Sequence, residues 1–160
     1  MQVISNFIKD EEIQQDLKNT LLGNQFDYYY QSSVARSDDF MFTHGLWLID
    51  NGSHHISNYF IPIMIPILGG LKYTTLIRAK VNCYTKHDEF CKTAFHVDRD
   101  DSHMVGLYSV NTNNGYTLFE DGTKIESVEN QMLIFDGSKR HCSVAQTDTK
   151  LRINININFR

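Results

Sequence analysis

The chain has 160 residues, 41% of them apolar and 21% charged, with a formal net charge of −4 at pH 7. That length suits one domain with a real core and is too short for two of ordinary size. The acidic balance, with no run of Lys or Arg, disfavours nucleic acid as a partner, because backbone binding needs a basic surface.

The stretch MQVISNFIKDEEIQQDL has no basic segment leading into an apolar one, so no signal peptide is expected. The longest apolar run, 61–68, contains Pro62 and Pro66 and falls far short of the ~20 residues of a membrane span, so no membrane partner is expected. Cys83, Cys91 and Cys142 make an odd count, which reads as reduced thiols in a cytoplasm.

A helix is expected over 9–22. Asp10 is its N-cap, Glu11 and Glu12 suit its positive end, and Gly23 stops it. Ile13, Leu17 and Leu21 recur every four residues and form one apolar stripe. Aromatic residues 26–30 and the stretch 40–49 read as strands. The aromatic set Phe26, Tyr28, Tyr29, Tyr30, Phe40, Phe42 and Trp47 is expected in the supporting core rather than along a substrate groove. A second helix is expected within 53–69, with its prolines blurring the ends.

From residue 74 the pattern becomes strands, over 74–84, 94–98, 104–111, 117–120, 123–128, 131–135, 141–145 and 151–159. Asn113-Asn114-Gly115, Asp121-Gly122 and Asp136-Gly137 supply turn signals. Short strands preceded by helices predict a mostly β fold, a double-sheet jelly roll with helices on one outer face. The expected division is one domain over 1–160, with 1–73 as helical and strand support and 74–160 as the jelly-roll core.

On the last strand Arg152, Asn154, Asn156 and Asn158 alternate with Ile153, Ile155, Ile157 and Phe159. A period of two puts the polar set on one face and the apolar set on the other. An edge strand facing water and a strand whose polar face lines a cavity both fit that alternation.

Phe95-His96-Val97-Asp98 contains H-x-D on an expected strand, where period two directs both side chains to one face. His141 lies just past the Asp136-Gly137 turn, and Arg152 follows on the last strand. Two imidazoles and one carboxylate on one face of an ion leave open positions, the facial triad of non-haem iron oxygenases. A planar guanidinium suits the far carboxylate of a chelating 2-oxo acid. Each of the four residues alone is weak; together, in strand context and in this order, they are specific. Cys83, His87, Cys91 and His96 offer a rival zinc reading, but their spacing is looser than structural zinc sites prefer.

With those residues in place, the chain resembles a small prolyl-4-hydroxylase-like member of the 2-oxoglutarate/iron(II) dioxygenase superfamily, similar to compact versions carried by bacteriophages. The matching pieces are AKVNCY, HVD, YSVNTNNGYTLFEDG, NQMLIFDGSKRH and RINININF. The resemblance implies a cupin-like double-stranded β-helix with helices packed on the major sheet. It implies Fe(II) held by His96, Asp98 and His141, with 2-oxoglutarate as cosubstrate and O2 as oxidant. Arg152 would hold the distal carboxylate of 2-oxoglutarate, with Tyr84 and Thr117 near it. Tyr108 or Ser109 would face the same ligand, since relatives often have a tyrosine where Ser109 stands, and Asn154 would reach the cosubstrate or the prime substrate.

The activity implied is hydroxylation of a prime substrate, prolyl or another protein or peptide side chain, or a small molecule, with formation of succinate and CO2. The implied location is a cytoplasm, that of the host if the protein is phage-encoded. The rival readings are a non-enzymatic metal-binding jelly-roll module and a structural or carbohydrate-binding jelly roll.

Overall fold

The computed structural model describes residues 1–33, 40–50 and 53–160. In chain order the elements are β1 (Gln2–Ile4), α1 (Glu11–Leu22), β2 (Tyr29–Gln31), β3 (Met41–Asp50), β4 (Ser53–Ile56), α2 (Phe60–Leu68) and β5 (Leu76–Thr85). They continue with β6 (Met104–Ser109), β7 (Asn113–Phe119), β8 (Lys124–Ser127), β9 (Gln131–Asp136), β10 (His141–Val144) and β11 (Leu151–Phe159).

Asp10 starts α1 as its residue type dictates. Its Oδ1 accepts from the backbone N–H of Glu12 at 3.0 Å and of Ile13 at 3.1 Å, meeting two donors that a helix start leaves open. Leu17 and Leu21 are buried, but Ile13, expected on the same stripe, stays exposed in the first turn. In α2, Pro62 sits in the first turn, where its missing N–H costs no helical bond, and Pro66 stands in the interior. No helix among the described residues is long and apolar enough to cross a membrane.

The larger sheet runs β1-β9-β6-β11-β5-β3-β2, with β4 also paired to β3, and the smaller runs β10-β7-β8. Together they form a jelly roll with α1 and α2 on the outer face of the larger sheet. Register shows why. Ile153, Ile155 and Ile157 stand opposite Cys83, Val81 and Ala79, and these pack with Leu17, Leu21, Ile63, Met64 and Ile67 in the helix-side core. On the other face Arg152, Asn154, Asn156 and Asn158 stand opposite Tyr84, Asn82, Lys80 and Arg78.

β11 lies between β5 and β6, and its asparagines are buried, so its alternation is that of a cavity-lining strand and not of a solvated edge. Buried amides are costly without partners, so such a row marks a site rather than packing. Val105, Phe119, Leu133 and Phe135 form a second, smaller core cluster.

Some expectations need correction. Residues 94–98 are not a regular strand: two isolated bridges, Lys92 to Val144 and His96 to His141, tie this stretch to β10. Asn113-Asn114-Gly115 is not a turn but the start of β7, where a register shift falls between Asn113 and Tyr116. A Cβ on Gly115 would lie 2.9 Å from the Val144 carbonyl oxygen, so this glycine serves close strand approach. Asp121-Gly122 is a turn, with Gly122 at φ +86°. The short strands β1 and β4 carry too few residues to show a period. The aromatic set divides: Phe26 is buried and Tyr28, Phe42 and Trp47 pack against the core, while Tyr29, Tyr30 and Phe40 are exposed.

Candidate metal centre and its cavity

His96 and His141 face each other across the gap between the irregular stretch and β10. The His96 N–H donates to the His141 carbonyl at 2.9 Å and the His141 N–H returns the bond at 3.0 Å, which places the rings with centroids 4.9 Å apart. This reciprocal bridge, not strand periodicity, brings the two imidazoles together. Asp98 then leaves the smaller sheet and reaches the larger one, where its Oδ2 accepts from the Asn156 amide at 2.9 Å and the Asn158 amide at 3.0 Å.

One ligand atom from each of His96, Asp98 and His141 lies within 4.8 Å of the others, and no other such group of three occurs among the described residues. Metal–nitrogen and metal–oxygen bonds of about 2.1 Å let one ion span that spacing with small side-chain movements. Each histidine already has its outer nitrogen engaged: Nδ1 of His96 donates to the Ala94 carbonyl at 3.1 Å, and Nδ1 of His141 to the Lys139 carbonyl at 3.0 Å. That tautomer leaves both Nε2 atoms with a lone pair for an ion.

Charge state agrees with ligation. Burial lowers the His141 imidazole, opposed by the Lys139 carbonyl, and so favours the neutral ring. Burial pushes the Asp98 carboxyl upward, but the Asn156 amide, the Arg78 charge and further donors outweigh it and hold the group at about 2. The carboxylate is therefore ionised at neutral pH.

The same three residues open onto a cavity lined by Tyr84, Thr117, Arg152, Asn154 and Asn156 among others. Arg152 is only 2% exposed. Its Nε donates to Ser127 Oγ at 2.9 Å, and its Nη1 to Ser143 Oγ at 2.6 Å and the Val144 carbonyl at 3.1 Å. Its guanidinium carbon lies 5.4 Å from the Tyr84 ring centroid. None of these partners carries a negative charge, so a buried cation faces the cavity without a counter-ion among them.

The sequence-predicted residues thus divide. His96, Asp98, His141, Arg152, Tyr84, Thr117 and Asn154 all border one cavity. Ser109 stands opposite Asn154 and shares its face, whereas Tyr108 stands opposite Ile155 in the helix-side core and donates to Asn130 Oδ1 at 3.1 Å. Adjacent strand residues point opposite ways, so only Ser109 of that pair is on the cavity side. The zinc alternative fails in the same manner. Cys83 packs in the helix-side core, and burial pushes its thiol up to about 11, far from the thiolate a metal needs. Sequence reasoning missed Arg78 and Lys80, although their alternation with Asn82 and Tyr84 along β5 carried the same signal as β11.

No protein-family model matches the sequence, and no curated protein is similar to it in sequence. Solved structures do match. The viral collagen prolyl hydroxylase of Paramecium bursaria Chlorella virus-1 is 12% identical with a TM-score of 0.62, covering 98% of this chain and 94% of that one. A Trichoplax adhaerens prolyl hydroxylase, solved with a peptide fragment of the hypoxia-inducible factor oxygen degradation domain, is 16% identical with a TM-score of 0.62, covering 99% and 82%. The non-haem α-ketoglutarate-dependent epimerase SnoN of nogalamycin biosynthesis is 11% identical with a TM-score of 0.65, covering 99% and 76%. Hydroxylases and an epimerase share this architecture, so shape alone does not set the reaction. The chain has the fold of the 2OG-Fe(II) oxygenases.

Proposed function

We propose that the protein is an iron(II)- and 2-oxoglutarate-dependent oxygenase that hydroxylates a protein or peptide side chain, with a prolyl residue as the first candidate. The observation that carries this reading is the pairing, in one cavity, of the His96, Asp98 and His141 cluster with the buried Arg152. The hydroxylase and peptide parts rest on the neighbours of similar fold, among them prolyl hydroxylases.

Bound iron(II) and 2-oxoglutarate supply the oxygen activation that couples loss of CO2 and formation of succinate to substrate oxidation. The chain's own part is orientation. His96 and His141 present Nε2 because Nδ1 is committed to a backbone carbonyl. Asn156 and Asn158 occupy Asp98 Oδ2, while Oδ1 lies 4.0 Å from His96 Nε2 and 3.5 Å from Arg78 Nη2. Ser127 and Ser143 hold the Arg152 guanidinium so that it meets a small dicarboxylate with its geometry already fixed. Phe119 and Phe135 pack against the His141 ring at 6.0 Å and 4.9 Å and keep water from that side.

The test is succinate formation from 2-oxoglutarate with iron(II) and oxygen, across proline-containing peptides. The wild type should form succinate, with peptide stimulation, and His96→Ala and Asp98→Ala should not. Equal turnover in either variant overturns the site.

A further inference from the structure

The polar face of the larger sheet carries two more cations than the reaction above uses. On β5, Lys80 stands opposite Asn156 and Arg78 opposite Asn158. Lys80 lines the metal cavity and also an adjoining open groove of about 400 Å³. That groove passes Gln31, Met41, Thr43 and Arg78 and ends on His96 and Asp98, so it is the open side from which a substrate meets the ligating atoms.

Among the described residues the half-buried Lys80 ammonium has neither a hydrogen bond nor an ion pair. Arg78 reaches Asp98 Oδ1 only at 3.5 Å, and its Nε is buried without a partner among the described residues. Burial first, and the Arg78 charge second, push Lys80 down to about 8, which leaves it mainly protonated at neutral pH. A poorly partnered cation near the interior is costly, and the cost is recovered when an anion arrives.

Charge balance points the same way. A divalent ion, the Asp98 carboxylate, a doubly negative cosubstrate and the Arg152 guanidinium cancel one another. Among the described residues Arg78 and Lys80 remain as surplus positive charge facing the groove, in a chain whose net charge is −4. Among the described residues no further Lys or Arg lines the groove to follow a phosphate backbone. Two cations side by side suit a single carboxylate.

Building on the oxygenase reading, we propose that Lys80 and Arg78 anchor a carboxylate of the prime substrate, so that this site selects an acidic peptide segment or a free carboxylic acid over neutral and basic ones.

The test uses full-length protein loaded anaerobically with Mn(II) and 2-oxoglutarate, and a degenerate hexapeptide library read by mass spectrometry. Wild type should enrich Asp and Glu over Asn and Gln by about tenfold. Lys80→Met and Lys80→Gln should abolish that enrichment, and Lys80→Arg should keep it. An N-acetylaspartate competition arm separates the sources: displacement of bound peptide at low concentration identifies a free acid, and persistence of peptide identifies a longer acidic segment. Absence of acidic enrichment together with absence of N-acetylaspartate binding overturns the proposal, as does enrichment that survives in both Lys80→Met and Lys80→Gln. The visible absorption of the iron(II)–2-oxoglutarate chelate, recorded on the same preparation, reports separately on the oxygenase reading. Its loss with acidic selection retained removes the oxygenase and keeps the anion site.

Discussion

Asn156 donates its side-chain N–H to Oδ2 of Asp98 at 2.9 Å, across the space between the larger sheet and the irregular stretch that carries the H-x-D residues. A neutral amide fixes the carboxylate without cancelling its charge, which an arginine or lysine at this position would do. Asn158 repeats the contact from two residues farther along β11. Asp98, the candidate carboxylate ligand, is therefore held by the central strand rather than by its own loop.

Replacing Asn156 with Ala should weaken metal binding by about 10–100-fold, the usual cost of losing an outer partner of a ligand. Calorimetric titration with Mn(II) checks this, with circular dichroism confirming the fold. Unchanged affinity in the folded variant would show that Asn158 alone orients Asp98.

Arg152 is expected to set affinity for the cosubstrate. Arg152→Met should raise the KM for 2-oxoglutarate by about a hundredfold, because a charge-assisted, preoriented contact is lost. Ser127 and Ser143 lose a donor in the same variant, so a smaller fall in thermal stability should accompany it. Steady-state decarboxylation over a range of 2-oxoglutarate measures the effect; an unaltered KM removes Arg152 from the binding site.

Ile155 is fully buried between the larger sheet and the helices. Ile155→Ala should cost about 2–5 kcal/mol in urea unfolding through lost burial and a cavity. Ile13→Ala, on the exposed first turn of α1, should stay within about 0.5 kcal/mol. Equal losses at the two positions would show that the helices do not dock as described.

Cys91 is exposed, whereas Cys83 and Cys142 are buried. Burial pushes the Cys83 thiol up to about 11, and burial also raises Cys142, so neither offers a thiolate near pH 8. Iodoacetamide on the native protein should alkylate Cys91 alone, and peptide mapping reads the outcome. Fast labelling of Cys83 would mean that the helix-side core opens readily.

The parts of this fold visible in the sequence are those where one physical rule acts by itself. Asp10 and Gly23 frame α1 through capping chemistry, and β11 shows its two faces because each is buried against a different neighbour. The candidate site was legible because imidazole, carboxylate and guanidinium on cavity-facing positions are chemically pointed. What was hidden depends on partners remote in sequence. The stretch 94–98 reads as a strand, yet it keeps only isolated bridges to β10 because Asp98 turns toward Asn156 and Asn158. Asn113-Asn114-Gly115 carries turn residues, yet its glycine answers to the backbone of Val144 and Gln146. Tyr108 faces the helices because the register with Ile155 is fixed by the core and not by local preference.

The most direct measurement is an anaerobic titration of the protein with iron(II) and then 2-oxoglutarate, followed by visible absorption. A weak charge-transfer band should grow to a one-to-one endpoint in the wild type and be missing in His96→Ala, Asp98→Ala and His141→Ala. A wild-type spectrum that stays flat, or a band of full intensity in any of those three variants, contradicts the claim that these residues hold one ion in front of Arg152.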